Sequence, residues 1–154
     1  MARPAKITRW RSGQWTIGKY TEATLTTALT GTNNDLTYTA VANDTTGNSI
    51  TVAYVVAGAS TPLTVAVVGN AITVNVATNG SSAATSTALQ VRDAVRASAA
   101  ARALVNVDLK TGEDGTGVVT ALTATALSGG TAGVLGVGGA RWGRKRQRGN
   151  NNLS

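Results

Sequence analysis

Apolar and polar residues alternate along most of the central part of the chain. Residues 36–41 alternate Leu, Tyr and Ala with Thr, and the same period of two runs through residues 49–57, 63–68 and 71–77. Successive side chains of a strand point to opposite faces of a sheet, so this period predicts β-strands. A weaker alternation predicts a further strand within residues 24–30.

Short runs of turn-forming residues separate these segments. Gly69-Asn70 connects two of them, and a Gly in the first place favours a primed turn, whose twist matches that of the flanking strands. The sequence therefore predicts a β-hairpin over residues 63–77. NDTTGN at residues 43–48 predicts a turn, and GASTP at residues 58–62 predicts a loop.

Two parts of this region are similar to each other. GNSITV at residues 47–52 matches GNAITV at 69–74, and LTYTA at 36–40 resembles LTVAV at 63–67. Two copies are fewer than the three or more that a solenoid requires. We interpret the similarity as two hairpins of similar design.

The hydrophobic period changes after Gly80. Thr87 and Gln90 fit a capping box, in which a hydroxyl at the N-cap and a Gln three residues later satisfy each other's backbone N–H groups. Apolar residues then recur near helical spacing at Leu89, Val91, Val95 and Ala99. The pattern predicts a helix over residues 88–102, followed by strands over 104–109 and 118–127.

These elements together predict an α+β, β-rich fold: an antiparallel sheet of hairpins with one packed helix, plus extended N- and C-terminal arms. We expect three parts. Residues 1–21 are a basic N-terminal arm, residues 22–130 a β-rich globular domain, and residues 131–154 a Gly-rich connector with a basic C-terminal tail.

The composition excludes several kinds of chemistry. The chain of 154 residues contains neither Cys nor His, which excludes disulfides, thiol nucleophiles, His/Cys zinc sites and a Ser-His-Asp triad. We expect no cofactor, no metal, no small-molecule substrate and no enzymatic activity. A carboxylate pair brought together by the fold stays open as an alternative.

Most acidic residues of the central part receive a structural interpretation. TGEDGTG at residues 111–117 has too few alternating oxygen ligands for a calcium loop, and no Lys-Ser/Thr and helix follow it as in a P-loop. We interpret this loop as a turn with acidic tips. Asp93 is expected to pair with Arg96 on an exposed helix face, and Asp35 and Asp44 to lie in turns.

Neither a membrane span nor a secretory signal is expected. Thr, Gly and Asn interrupt the apolar runs well before the roughly 18 residues that a spanning helix needs. The basic start, MARPAKITRWRSGQW, lacks the apolar region of a signal peptide. We expect synthesis in the cytoplasm and no contact with a membrane.

The net charge of +7 is unevenly distributed. Residues 1–20 contain five basic residues and no acid, and residues 141–148 contain another five and no acid. The segment between them holds four basic residues and all seven acids. Charged residues make up only 14% of the chain, against roughly 25% in ordinary domains, which favours strands covered by partners.

All three Trp residues lie in the basic ends. Trp and Arg are enriched where proteins dock, so the ends are predicted to bind a larger partner. The candidate binding residues are Arg9, Trp10, Arg11, Trp15, Arg141, Trp142, Arg144, Lys145 and Arg146. Two alternatives stay open: the Trp residues pack on their own domain, or the basic tail binds nucleic acid with Trp142 stacked on a base.

The central part resembles a known module. The segments LTGTNNDLTYTA, GNSITVAYV, ITVNVATNG, STALQVRDAVRASAAARALVNV and GEDGTGVVTALTATALSGG are similar to a recurrent module of tailed-bacteriophage virion proteins, in the setting of head decoration, cement or minor capsid proteins. The resemblance covers about residues 25–130, and its most specific pieces are 47–52 and 115–130. The arms carry no motif of this family.

The resemblance implies a structural protein of the virion that binds the capsid surface and stabilises it. Its partner would be the major capsid protein, and several copies would associate on the lattice. The module also occurs in tail-associated proteins, so a tail or head–tail connector component is an alternative. A nucleic-acid-binding module inside the head is a further one.

Overall fold

In a computed structural model of the chain, residues 18–133 are described. The chain divides into two units, Tyr20–Ala132 and the combined residues 1–19 and 133–154, and every helix and strand given below lies in the first. The strands are β1 (Thr24–Thr26), β2 (Leu36–Ala40), β3 (Thr51–Val55), β4 (Thr64–Val68), β5 (Ala71–Asn75), β6 (Val105–Leu109) and β7 (Leu122–Ala126). The helices are α1 (Ala88–Ala97) and α2 (Ala99–Leu104), and a 3₁₀ helix spans Thr45–Ser49.

The strands form two sheets. β1, β2 and β6 make an antiparallel sheet of three strands, and the other four make a mixed sheet in the order β4-β5-β3-β7. In the mixed sheet β3 runs parallel to β5, whereas the other neighbours are antiparallel. The strand-rich α+β class predicted from the sequence is confirmed.

The hairpin predicted around Gly69-Asn70 is confirmed. β4 and β5 pair in antiparallel register from Val68 opposite Ala71 to Thr64 opposite Asn75. Gly69 has φ +57, a left-handed conformation that costs Gly little and other residues more. The first position of a type II′ turn has this geometry.

The second predicted hairpin is wrong. β2 and β3 belong to different sheets, because the 3₁₀ helix between them, capped by the Asp44 side chain, leads the chain from one sheet to the other. The two similar segments instead meet as neighbours, since β3 lies parallel to β5 with Thr51 opposite Ala71. Alternation of side chains predicts a strand but does not choose its partner.

The single helix predicted over residues 88–102 is two helices. The capping box of Thr87 and Gln90 starts α1 as expected. Ser98 then adopts extended backbone angles, and its hydroxyl accepts a hydrogen bond from the Ala101 N–H at 3.3 Å, so that it caps α2. The spacing that predicted one helix included Leu89 and Ala99, but both are exposed in the structure, and the buried residue of α2 is Ala101.

One hydrophobic core joins both sheets and α1. It takes Leu36 and Tyr38 from β2, Val52 and Tyr54 from β3, Ile72 and Val74 from β5, Val105 and Val107 from β6, and Val91 and Val95 from α1. The hydroxyls of Tyr38 and Tyr54 lie 2.7 Å apart and connect the two sheets. Burial raises the pKa of both hydroxyls, which stay protonated as this hydrogen bond requires.

Candidate docking surface

The binding residues predicted from the sequence lie outside the described part of the chain. Arg9, Trp10, Arg11 and Trp15 precede residue 18, and Arg141, Trp142, Arg144, Lys145 and Arg146 follow residue 133. What the structure does describe is the place where each arm begins.

The two ends of the unit Tyr20–Ala132, which we call the body, lie side by side. The Thr21 N–H donates to the Thr131 carbonyl at 3.3 Å, and the Thr131 N–H donates to the Thr21 carbonyl at 3.0 Å. The hydroxyls of the same two residues are 2.6 Å apart. Thr24 and Ser128 form a second pair of this kind, with N–H to carbonyl distances of 2.8 and 3.0 Å. The segments that lead into both basic arms therefore start from neighbouring points.

A contact between distant Gly-Asn and Gly-Gly motifs stabilises this junction. The Asn48 side-chain amide donates to the Gly130 carbonyl at 3.0 Å, and its oxygen accepts from the Gly130 N–H at 2.9 Å. The two most specific pieces of the sequence resemblance, residues 47–52 and 115–130, thus meet in the fold. The contact positions Gly130 and therefore the neighbouring Thr131, where the C-terminal arm begins.

The outward face of the four-stranded sheet carries no charge. Its rows of neighbouring residues are Val68, Ala71, Thr51 and Ala126; Ala66, Thr73 and Ala53; and Thr64, Asn75 and Val55. We call this surface the uncharged face. It reflects a long stretch of sequence, since no charged residue lies between Asp44 and Arg92. Among its large apolar side chains Val68 is the most exposed, at 79%.

A cluster of three charged groups locks the loop at residues 111–117 to the body. Asp35 is only 6% exposed, and its carboxylate accepts from the Leu29 N–H at 2.7 Å and from Lys110 Nζ at 2.8 Å. Glu113 Oε1 lies 3.2 Å from the same ammonium, and Glu113 Oε2 accepts from the Asp35 N–H at 2.8 Å. Glu113 is therefore not the exposed tip that the sequence predicted, because its side chain turns inward onto Lys110.

This cluster is arranged for permanent charge rather than proton transfer. Burial raises the pKa of Asp35, but hydrogen bonds from Lys110, Leu29 and Thr27 outweigh that effect and leave the pKa below its ordinary value. Hydrogen bonds to both carboxylates raise the pKa of Lys110. An acid–base catalyst needs a pKa near the working pH, and these shifts move both groups away from neutrality.

Two glycines of the same loop form backbone hydrogen bonds with the start of α1. The carbonyls of Gly117 and Gly115 accept from the Ala88 and Leu89 N–H groups, both at 3.0 Å. N–H groups at the start of a helix are a common binding site for anions. In α1 these two are already occupied by backbone, in agreement with the interpretation of the loop as a turn.

The predicted ion pair of Asp93 and Arg96 does not form. Asp93 pairs with Arg92 at 2.7 Å, whereas Arg96 reaches across to Asp108 at 3.0 Å and donates through Nε to the Val107 carbonyl at 2.9 Å. Arg96, Arg102 and Asp108 line an open depression of about 320 Å³ beside β6. The carboxylate on its rim already neutralises one of the two guanidinium groups.

Within residues 18–133, no three side chains of the His, Cys, Asp and Glu types gather closely enough to hold a metal ion. The same part of the chain contains no helix with the length and apolar character needed to cross a membrane. Comparison with protein-family models, curated proteins and solved structures finds no match to this chain.

Two features that the proposals below use depend on the tertiary structure. The pairing of Thr21 with Thr131 joins residues 110 positions apart, and no local sequence pattern predicts it. The uncharged face was visible as the long stretch without charged residues, but only the sheet order shows that its strands form one surface.

Proposed function

We propose that this protein is a structural component of a tailed-phage virion that binds the capsid surface and stabilises it. The observation that carries the proposal is the pairing of Thr21 with Thr131, which starts both basic, Trp-containing arms from one place on the body. Two arms with a common origin can bind neighbouring sites of one lattice.

Stabilisation follows from mass action. A protein that binds only the assembled lattice lowers its free energy by an amount that grows with free concentration over Kd. The two arms add avidity, because binding of the first raises the effective concentration of the second. The arms bring ten basic residues, whereas the body carries four basic and seven acidic ones, a net charge of −3. An acidic partner therefore attracts the arms more than the body.

We assign the anchoring to residues of both arms. Trp10, Trp15 and Trp142 would fill pockets of the major capsid protein, and Arg9, Arg11, Arg141, Arg144, Lys145 and Arg146 would pair with its carboxylates. Several copies would occupy the lattice, and the protein would be found in virions after synthesis in the host cytoplasm.

The direct test measures binding of the full chain to purified capsids that lack it. The double variant Trp15→Ala and Trp142→Ala should lower the affinity by at least about 2 kcal/mol, as expected when interface anchors are truncated. Leu89→Ala is the matched control, since Leu89 is an exposed apolar residue of the body and its loss should leave binding unchanged. Unchanged capsid occupancy of the double variant would contradict the proposal.

Two further measurements separate the alternatives. Labelling of the protein in intact particles distinguishes a position over the head surface from a ring or tube at the tail or connector. A gel-shift series with non-specific DNA at rising salt tests the nucleic-acid alternative, because phosphate binding weakens steeply with salt. Tight, strongly salt-dependent DNA binding without capsid binding would favour a role inside the head.

A further inference from the structure

Three of the four sheet edges formed by the described strands have a feature that opposes further pairing. β1 is only three residues long. β6 is covered by Arg96, which donates to the Val107 carbonyl and pairs with Asp108. β7 has a register shift opposite the step from Val52 to Tyr54. Short length, charge and bulges are common ways in which proteins protect edge strands.

β4 has none of these three features, although α1 and α2 pack against it. It is a regular strand of five residues, TVAVV, with neither a charged residue nor a Pro, and its pairing with β5 is unbroken. Val68 and Ala71 flank the two-residue turn and exchange both backbone hydrogen bonds. Along β4, residues that bond to β5 then alternate with residues whose backbone groups point away from β5. Thr64 and Ala66 therefore bond to β5, and the N–H and carbonyl groups of Val65 and Val67 point to the open edge.

We propose that the β4 edge pairs with β4 of a second copy of this chain, in antiparallel register about a two-fold axis at Ala66. Ala66 then lies opposite Ala66 of the second copy, and Val65 lies opposite Val67 of the second copy. Both Val pairs exchange their N–H and carbonyl groups, because these are the groups that face the open edge. The same backbone groups of β4 meet in both copies, as a two-fold interface requires.

The side chains around β4 fit a second copy. Val65-Ala66-Val67 reads the same in both directions, so the two-fold axis places side chains of equal size opposite each other. On the uncharged face Thr64 would neighbour Val68 of the second copy, and no like charges would meet. Both helices pack against β4, and Arg102 of α2 lines the depression beside β6.

The joined molecule would have one sheet of eight strands. β4 and β7 are opposite edges of the four-stranded sheet, and Thr131, which pairs with Thr21, follows β7 in the chain. The new seam would leave the starting points of the arms uncovered. The inference does not depend on the proposed function, since it concerns the isolated protein in solution.

Sedimentation equilibrium of the full chain tests the proposal. The native protein should dimerise, and Ala66→Lys and Ala66→Asp should each raise the dimer Kd by about tenfold or more, because like charges directly opposite each other repel. An equimolar mixture of the two variants should recover a dimer, since Lys then faces Asp. Ala126→Lys is the matched control, because it puts the same charge on the opposite edge of the uncharged face.

A backbone variant tests the hydrogen bonds themselves. Val67→Pro removes an N–H group that faces the open edge, and Pro is tolerated there because no bond to β5 is lost. It should abolish the dimer while circular dichroism stays native. A native monomer at all accessible concentrations, full dimerisation of Ala66→Lys, or no recovery on mixing the two folded Ala66 variants would each overturn the proposal.

Discussion

The buried polar groups of the body are each matched to a partner, and Asp35 shows what that requires. Within residues 18–133 no side-chain nitrogen or oxygen of the buried positions lacks a hydrogen bond. Asp35 is nearly removed from water, yet it stays ionised because an ammonium, a backbone N–H and a hydroxyl take the place of water. Its carboxylate joins the nearby residues Thr27 and Leu29 to Lys110, which is 75 positions away in sequence.

Asp35→Asn should destabilise the fold by about 1–3 kcal/mol at neutral pH, because an amide NH₂ would face the Lys110 ammonium. The lowered pKa of Asp35 means that the native state favours its ionised form, so this contribution is present above about pH 4 and is lost as pH falls through the native pKa. The difference between native and variant proteins should therefore shrink in acid. Urea unfolding at neutral pH and near pH 2 measures it.

Asp93→Asn is the control for this prediction. Asp93 forms an exposed pair with Arg92, and surface pairs of this kind contribute about 0–1 kcal/mol. A deficit of Asp35→Asn that is the same at both pH values would show that shape, rather than charge, makes Asp35 important.

At the scale of elements, the loop at residues 111–117 connects α1 to the segment before β2. Gly117 donates its N–H to the Asn33 carbonyl at 2.9 Å and offers its own carbonyl to Ala88. A Cβ atom at Gly117 would lie 2.0 Å from the Thr32 carbonyl oxygen and 2.9 Å from the Asn33 backbone. Only Gly permits this approach, since the opposing atoms are backbone and cannot rotate away.

Gly117→Ala should therefore destabilise the body by about 1–3 kcal/mol or more, the usual cost of overpacking. Gly80→Ala is its control, because the added Cβ would meet only Ser60 Oγ, at 4.0 Å. Thermal unfolding of both variants measures the difference. Equal melting temperatures would mean that the loop moves freely from Asn33.

The sequence pattern was accurate for the elements and less so for their arrangement. The capping box and the primed turn form as predicted because their hydrogen bonds close within a few residues. The partner of β2, the break at Ser98 and the pairing of Arg96 with Asp108 depend on distant segments. Local periodicity contains no information on which strand lies beside which.

At the scale of the whole molecule, the core and the charged arms are separate parts of the chain. Among residues 18–133, the buried residues of the hydrophobic core lie between Ala23 and Leu127, inside the unit Tyr20–Ala132. The basic clusters lie outside that unit. Under the proposed function, folding and docking would draw on different residues.

A fragment of residues 20–132 should fold on its own, with a melting temperature within a few degrees of the full chain, because it retains the core and the pairing of Thr21 with Thr131. It should not bind capsids, since it lacks all three Trp residues and carries a net charge of −3 from four basic and seven acidic residues. Circular dichroism and capsid cosedimentation measure the two properties. Capsid binding equal to that of the full chain would place the docking site on the body.

The sequence by itself determined the strand-rich class, the hairpin at Gly69-Asn70, the start of α1 and the separation of charge between body and arms. These properties follow from side-chain period, turn residues and composition, all of which are local. Only the tertiary structure decided that β2 and β3 belong to different sheets, that Glu113 turns onto Lys110, and that Thr21 pairs with Thr131. Each of these joins residues that are distant in sequence, and burial in a common core selects among many partners that the local pattern leaves equivalent.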